Sequence, residues 1–372
     1  MSIFNPLTRR RLFTSIAGGL AGASLGSRRA TAAPRQEAPP AAKGSLLLSE
    51  FEPKSMLHVQ ETPIERARFP VIDVHTHVTF RAKQTGGVSQ GEAINIPAPP
   101  GEILPAMDRR NIRIMVNLTG SSGDGLKQAI QTFHTPHPDR FLIFTEPSWD
   151  RVAEPGYPQW QADELGRAKA AGGRGIKILK TLGLYVREQV TSGPLLAIDD
   201  KRFDPMWDAC GALGFPVAMH IADPEAFFLP IDRFNERYEE LHEHPDWSFY
   251  GKDYPPFDGL LEARDRVLAR HPKTTFIGHA DAFWANVSAD YQNVAAYPSG
   301  PIKRGGVTDK LLADYPNLYG DLAANSGNNA LSRDPEFTAA YSLDDRDVFE
   351  TVVMALLLPE PAVGELVSAR LS

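Results

Sequence analysis

The amino-acid sequence predicts an α/β fold, specifically a TIM-type (β/α)8 barrel that is incomplete at its eighth strand. Seven short apolar runs alternate with longer amphipathic segments between residues 70 and 321. Strands that are apolar on both faces indicate a parallel sheet covered by helices. Seven such units over this length favour a barrel. A doubly wound sheet is the alternative, but no run is followed by a glycine-rich phosphate loop with dinucleotide spacing.

The order of the elements follows from the apolar runs and from the stop signals between them. We predict strands at residues 71–75, 112–118, 140–145, 175–179, 215–220, 274–279 and 317–321. We predict helices at residues 101–110, 159–171, 204–213, 257–271 and 307–314. Three helices end just before the next strand at a glycine or proline, namely Gly214, Pro272 and Pro316. Such residues are typical of helix termini.

Two connections, residues 78–100 and 221–256, are longer than ordinary loops. Both follow a strand, so we expect both on the face where barrel active sites are built. The second is rich in aromatic residues, among them Phe227, Phe228 and Trp247. We expect it to form a lid or a pocket wall; a packed insertion without a catalytic role is the alternative.

The chain begins with a segment that resembles a twin-arginine export signal. Arg9, Arg10 and Arg11 precede a weakly apolar stretch, and the small-residue pattern Ala30-Thr31-Ala32 follows it, as expected before a cleavage site. A basic tail is the alternative. We therefore expect a periplasmic or extracellular protein. Its predicted parts are a signal peptide at 1–32, a linker and N-terminal extension at 33–69, the barrel at 70–341 and an atypical tail at 342–372.

The composition excludes several classes of protein. The content of 42% hydrophobic and 23% charged residues is that of a globular protein, and no apolar run approaches the roughly 20 residues of a membrane span. Without residues 1–32 the chain has 34 basic and 46 acidic residues, a net charge of −12. Such a chain has no basic surface for nucleic acid. Cys210 is the only cysteine, which excludes an internal disulfide. We expect a small-molecule substrate, and an oligomer is possible.

Four histidines lie at the ends of predicted strands. His75 and His77 are two residues apart on the first strand, so both imidazoles point to one face at the carboxyl end. Two neutral imidazoles in this arrangement are ligands for Zn²⁺ or a similar ion. Asp73 is expected to support them from below. His220 and His279 end the fifth and sixth strands. The other histidines are expected at the solvated surface, namely His58, His134, His137, His242, His244 and His271.

These residues resemble the amidohydrolase superfamily, specifically the amidohydrolase-related group that includes the aminocarboxymuconate semialdehyde decarboxylase-like proteins. The resemblance covers roughly residues 70–330. It implies that His75, His77 and His220 bind one divalent metal ion, with zinc the preferred ion, and that His279 is catalytic. It also implies a hydrolase that attacks a small carbonyl or carboxylate compound with metal-activated water. A non-oxidative decarboxylase on the same metal site and an inactive truncated barrel are the alternatives.

Lys177 lies on the predicted fourth strand, and Lys180 follows it. In parts of the superfamily a lysine of this strand is carboxylated and bridges two metal ions. Lys177 is a candidate for binding a substrate carboxylate, and Lys180 is a second. A structural ion pair is the alternative for both.

The C-terminal part departs from the pattern of the superfamily. There, an eighth strand ends in Gly-Ser/Thr-Asp, and this motif does not occur after Gly327. Asp321, at the end of the seventh strand, is the nearest acid, and we expect that it is not a ligand. The residues after Tyr341 resemble a shifted reading frame or a truncated product. The alternative is a diverged C-terminus that closes the barrel through residues 348–358.

Overall fold

A computed structural model describes residues 51–54, 56, 65–284, 287–290 and 301–321. The chain divides into two units, Met1–Ile64 and Glu65–Ser372. In the first unit the described residues, 51–54 and 56, are exposed. The second unit contains all of the helices and strands given below. The predicted signal peptide at 1–32 and the atypical tail at 342–372, with the candidate strand at 348–358, lie outside the described residues.

The second unit alternates strands and helices. Its strands are β1 (Val71–Thr76), β2 (Phe80–Thr85), β3 (Val88–Asn95), β4 (Ile112–Asn117), β5 (Phe141–Ile143), β6 (Ile176–Ile178), β7 (Val217–Met219), β8 (Phe276–Gly278) and β9 (Leu318–Gly320). Its helices are α1 (Pro100–Arg110), α2 (Gly123–Ala129), α3 (Tyr157–Ala171), α4 (Thr181–Leu184), α5 (Asp204–Leu213), α6 (Tyr238–Glu243), α7 (Phe257–Arg270), α8 (Asp281–Trp284) and α9 (Val307–Asp314).

Seven of these strands are parallel and neighbour one another in chain order. β1, β4 and β5 form one sheet, and β6, β7, β8 and β9 form another. A parallel bridge between Thr145 and Ile176 joins β5 to β6. These are the seven runs predicted from the sequence, and the fold is the predicted α/β TIM-type barrel. The predicted incompleteness at the eighth strand concerns residues outside the described part and stays a prediction.

Two apolar layers fix the positions of the strand ends. The inner layer, which we call the inner cluster, consists of Ile114, Val116, Leu118, Leu142, Phe144, Ala218 and Ile277. Its members alternate along β4 with Met115, which packs in a larger cluster between the strands and the helices. This alternation is what a strand buried on both faces produces. Full burial of each large side chain contributes about 1.5–3 kcal/mol, so the barrel is a rigid support for the side chains at its rim.

The connection at residues 78–100 contains a β-hairpin. β2 and β3 pair in antiparallel fashion across Gly86 and Gly87. Both glycines have a positive φ, which two-residue hairpin turns require. Arg81 of β2 donates hydrogen bonds of 3.1 Å to the Ser122 hydroxyl and to the Pro147 carbonyl. The hairpin is thereby attached to the loops that follow β4 and β5.

The aromatic connection at residues 221–256 is partly packed and partly open. Phe227 and Phe249 are buried, whereas Phe234 and Tyr250 are exposed. α6 is its only α-helix within the described residues. The buried residues support a packed insertion, and the lid or pocket wall stays a prediction. Across the described ranges no helix combines the length and the apolar character needed to cross a lipid bilayer.

Candidate metal centre

Three side chains at the rim follow directly from the register of the strands. β7, β8 and β9 end side by side in their pairing. The residue that directly follows each strand is His220 after β7, His279 after β8 and Asp321 after β9. Because parallel strands have their carboxyl ends on one edge, these three side chains lie at one level of the rim.

β1 brings His75 and His77 to the same rim through an irregularity in its pairing. The register with β4 shifts between Asp73 and Thr76, where β1 has one residue more than its partner. A bulge of this kind changes which side chains point to a given face of the strand. Val74 packs against the inner cluster, and the next residue, His75, also points inward and contacts the ring of His279.

Asp73 acts on the backbone of the bulge and not on the imidazoles, contrary to the expectation from the sequence. Its carboxylate accepts a hydrogen bond of 3.2 Å from the His75 backbone N–H. Asp73 pairs in register with Met115, which faces the larger cluster. Burial raises the pKa of Asp73. The simple rule that residues two apart share a face fails here because the bulge interrupts the alternation.

The four histidine rings at the rim form a continuous series of contacts. His75 stacks on His279 with ring centroids 3.8 Å apart. His77 meets His75 edge-on at 5.1 Å, and His220 meets His279 edge-on at 5.0 Å. The structure therefore brings together the four histidines that the sequence singled out.

Oxygen acceptors surround the Nδ1 atoms of three of these rings. Asp321 Oδ2 lies 2.6 Å from Nδ1 of His75, and Asp321 Oδ1 lies 2.9 Å from Nδ1 of His279. The Thr119 hydroxyl lies 3.1 Å from Nδ1 of His77 and donates its own proton to the Thr79 carbonyl at 2.6 Å. Each of these Nδ1 atoms is therefore assigned as an N–H donor, and each Nε2 is left with a lone pair.

Burial keeps the imidazoles of His75, His77 and His220 neutral. It lowers the pKa of His75 to about 4 and that of His77 to about 3, and it lowers the pKa of His220 well below its usual range. Burial alone would raise the pKa of Asp321, but hydrogen bonds from His279 and His75 hold it well below the ordinary value. The rim thus combines neutral imidazoles, whose ring nitrogens can bind a metal ion, with one ionised carboxylate.

Lys177 of β6 lies beside His75, whereas Lys180 is paired with a carboxylate and acts on His220 through its charge. The Lys177 side chain is buried, and its Nζ lies 3.3 Å from Nε2 of His75. Burial lowers the pKa of Lys177 to about 8, although the charges of Asp321 and Glu146 oppose this shift. Lys180 forms an ion pair with Asp223 at 2.6 Å. The predicted ion pair is thus present for Lys180, whereas Lys177 contacts a rim histidine.

This set of donors fits a divalent metal ion. The possible ligand atoms of His75, His279 and Asp321 lie within 4.8 Å of one another, and the rings of His77 and His220 contact this group, so that nitrogen donors of several residues are available to one ion. Neutral imidazole is the form that binds metal ions, and metal-binding histidines usually donate their other N–H to a carboxylate or another oxygen. The Nδ1 partners of His75, His77 and His279 already have this arrangement, which leaves Nε2 as the ligand atom.

A comparison with protein families decides the assignment of the chain. The sequence profile of the amidohydrolase family matches residues 72–347, well over half of the 372 residues. The chain belongs to the amidohydrolase family. The matched region contains the four rim histidines, Lys177 and Asp321.

Solved structures that are similar to this amidohydrolase include three decarboxylases. The 2,6-dihydroxybenzoate decarboxylase from Rhizobium is 17% identical, with 68% of this chain and 79% of that chain covered and a TM-score of 0.40. The dihydroxybenzoic acid decarboxylase from Polaromonas sp. JS666, solved with manganese and 2-nitroresorcinol, is 16% identical, with 70% and 77% covered and a TM-score of 0.38. The 5-carboxyvanillate decarboxylase from Sphingomonas paucimobilis is 12% identical, with 66% and 72% covered and a TM-score of 0.38. A search of curated proteins finds no match.

Two further polar residues of the amidohydrolase rim were missed from the sequence. Thr119 and Glu146 follow β4 and β5 within three residues of each strand end. Glu146 is buried, accepts a hydrogen bond of 3.0 Å from the Ser121 N–H, and has its pKa raised by burial. The available signal was that both are polar residues placed just after an apolar run.

His271 was wrongly expected at the solvated surface. It is buried, with Nδ1 2.8 Å from Asp208 and Nε2 3.2 Å from Asp204. Its position after α7 suggested an exposed helix end. α5 packs beside this end instead, so that the ring joins two elements at the face opposite the rim.

Proposed function

We propose that this protein is a metal-dependent hydrolase of a small carbonyl or carboxylate compound, acting through metal-activated water. The observation that carries the proposal is the rim itself, where four imidazoles meet and two of them, His75 and His279, are hydrogen-bonded to one buried carboxylate. Membership of the amidohydrolase family supports a hydrolytic reaction.

His75, His77 and His220 would hold one divalent ion, and we propose zinc. Three neutral imidazoles leave a position for a water or substrate oxygen, as in catalytic zinc sites. When bound, such an ion polarises a substrate oxygen and lowers the pKa of a coordinated water to about 7. Burial, which keeps the three rings unprotonated, is the contribution of the chain to this site.

His279 is the proposed acid and base. Its Nδ1 donates to Asp321 at 2.9 Å, so Nε2 is free to accept a proton from the attacking water and return it to the leaving group. Proton transfer by a positioned side chain typically contributes 10²- to 10⁴-fold in rate. We expect His279→Ala to bind zinc as the wild type does and to lose activity by about this factor.

Lys177 is the proposed binding group for a substrate carboxylate. Its Nζ lies at the base of the histidine group, 3.3 Å from His75, and is shielded from water. A shielded ammonium group interacts with a carboxylate much more strongly than an exposed one.

The same lysine favours non-oxidative decarboxylation as a second candidate function. A substrate carboxylate held beside Lys177 would leave as CO₂, and the electron pair of the broken C–C bond would take a proton that enters from solvent and is passed on by Nε2 of His279. Hydrolysis adds water across a bond and releases no CO₂, so the products separate the two functions.

Two measurements on the purified protein test these functions. We expect about one zinc ion per chain by elemental analysis, and none in the double variant His75→Ala/His77→Ala. The matched control is His242→Ala/His244→Ala, two exposed histidines the same distance apart. Metal content equal in both double variants would overturn the metal site.

The second measurement identifies the products. The protein is assayed with small carboxylate-bearing amides, esters and lactones, and with ¹³C-carboxyl-labelled unsaturated acids. Release of labelled CO₂ would contradict hydrolysis and support decarboxylation as the function.

We also propose that residues 1–32 export the folded protein by the twin-arginine route. The arginines at positions 9 to 11 and the pattern Ala30-Thr31-Ala32 support this. Replacement of Arg9, Arg10 and Arg11 by lysine should leave the precursor in the cytoplasm, and Lys replacement of Arg28 and Arg29 is the control. A secreted wild-type protein that still begins at Met1 would contradict the proposal.

A further inference from the structure

The carboxylate of Asp321 joins side chains from two different parts of the barrel. Its Oδ2 accepts from Nδ1 of His75 on β1 at 2.6 Å, and its Oδ1 accepts from Nδ1 of His279 after β8 at 2.9 Å. The side chain of Asp321 is only 2% exposed. One buried carboxylate thus contacts a proposed metal ligand and the proposed acid and base at the same time.

The distances indicate hydrogen bonds and not a shared metal ion. Zinc binds nitrogen and oxygen ligands at 2.0–2.2 Å, so neighbouring ligand atoms of a tetrahedral site lie about 3.3 Å apart. The separations of 2.6 Å and 2.9 Å from Asp321 to the two rings are shorter and lie in the range of charge-assisted hydrogen bonds.

We propose that Asp321 is a positioning residue that fixes His75 and His279 as Nδ1–H tautomers and turns both Nε2 atoms toward the reaction. This rests on the function proposed above, since it assigns Asp321 a part in preparing that site. A carboxylate has acceptors only, so each ring must present its N–H to it. Neither ring can then rotate without breaking a buried, charge-assisted bond.

A second contact supports the tautomer of His75 independently. Nζ of Lys177 lies 3.3 Å from the other ring nitrogen, Nε2. An ammonium group has donors only, so this Nε2 is an acceptor and the ring proton is on Nδ1. The lysine and the aspartate therefore require the same tautomer from opposite sides of the ring.

The backbone of Asp321 is fixed as firmly as its side chain. Its N–H donates to the Gly278 carbonyl at 3.0 Å, and its carbonyl accepts from Nε1 of Trp284 at 2.7 Å. Gly320 has no room for a side chain because the rings of Trp284 and Phe283 fill that space. A carboxylate held at both ends in this way suits a role that depends on exact placement of its oxygens.

The tautomers can be measured on the metal-free wild-type protein. We expect imidazole ¹⁵N spectra to show the proton on Nδ1 of both His75 and His279. A proton on Nε2 of either ring would overturn the proposal. This measurement needs no variant and is independent of whether the protein binds metal.

A substitution then tests the consequence for zinc. Asp321→Asn keeps the size of the side chain but replaces one acceptor oxygen by an NH₂ donor, so one ring must change its tautomer or rotate. We expect zinc affinity, measured by competition with a chromogenic chelator, to fall 10- to 100-fold, the usual effect of losing such a partner. The ¹⁵N spectrum should show one ring with its proton on Nε2.

The matched control is Asp309→Asn in α9. Asp309 is also buried and has two partners, the Gly305 N–H at 2.6 Å and Arg304 at 3.0 Å, but no histidine. We expect its zinc affinity to equal that of the wild type. Equal losses in both variants, or no loss in Asp321→Asn, would overturn the positioning role. A wild-type protein that takes up no zinc but shows both Nδ1–H tautomers would contradict the proposed function and leave the positioning of the rings intact.

Discussion

His75 and His77 are kept neutral by the removal of their rings from water. The low pKa values of these residues, about 4 and about 3, arise mainly from burial. The nearby charge of Lys177 acts in the same direction for both. At neutral pH these rings are in the neutral form that binds a metal ion. The same histidines in the unfolded chain bind protons at a higher pH than the buried rings do.

We expect the metal-free protein to lose stability as the pH falls from 6.5 toward 4. In this window the histidines of the unfolded chain, with a pKa near 6.5, bind protons that the buried rings of His75 and His77 do not. The free energy of unfolding then decreases with pH, by up to about 1.4 kcal/mol per pH unit for each such histidine. Urea unfolding with a chelator present, at several pH values, measures this slope.

His77→Asn tests whether the slope comes from the buried rings. We expect this variant to lose the share of one histidine, whereas His242→Asn, at an exposed position of α6, should keep the slope of the wild type. Identical slopes in the wild type and in His77→Asn would contradict the assignment.

The sequence was sufficient to predict which histidines lie at the rim, but not which residues form hydrogen bonds with them. His220 and His279 could be predicted because each directly follows an apolar run. The hydrogen bonds of Asp321 and Thr119 could not, since they depend on the register of β9 and on the irregular pairing of β1. A shift of one residue in either strand would turn these side chains to another face.

Among the elements, the pair of β8 and α8 determines how closely the rim can pack. The chain reverses direction at Ala280, which has φ 69°, and α8 then lays Phe283 and Trp284 over the strand ends. Their rings occupy the space that side chains at Gly278 and Gly320 would need. These glycines directly precede His279 and Asp321.

We expect Gly278→Ala and Gly320→Ala each to destabilise the protein by about 1–3 kcal/mol, because overpacking forces side chains and backbone to shift. The shift would displace His279 or Asp321, so zinc affinity should fall as well. Thermal unfolding and chelator competition measure the two effects.

Gly166→Ala in α3 is the control, since an added Cβ there meets nothing within 4 Å. We expect it to stabilise the protein by about 0.5–1 kcal/mol, as alanine does in a helix interior, and to leave zinc affinity unchanged. Equal zinc affinity in all three variants would contradict a role of the two glycines at the rim.

The elements themselves were predictable wherever the apolar pattern was strong. All seven parallel strands overlap the predicted runs, and α5 and α9 have the predicted bounds. The hairpin of β2 and β3 was missed because its strands are mostly polar and exposed. α2 was missed because its sequence, GDGLKQA, is short and has glycine at two of its first three positions.

For the whole molecule, the repeated unit of strand and helix was sufficient to predict the fold. Each unit follows the previous one in space as in sequence, which is the usual arrangement of neighbouring elements. The candidate metal centre depends on residues that are far apart in the sequence. They come from β1, from β6 and from the ends of β7, β8 and β9. A pattern read along the chain identifies such residues one at a time and does not show which of them meet.

The hydrogen bond between His75 and Asp321 joins positions 246 residues apart. Contacts of such separation form late, because the chain must close a very long loop before they contribute any energy. A nascent chain that has left the ribosome only as far as β8 already carries all four rim histidines, yet it lacks the carboxylate that orients two of them. On the function proposed above, a metal ion met at that point of synthesis would find loosely held rings, and we expect its secure uptake only after β9 has been made and folded into place.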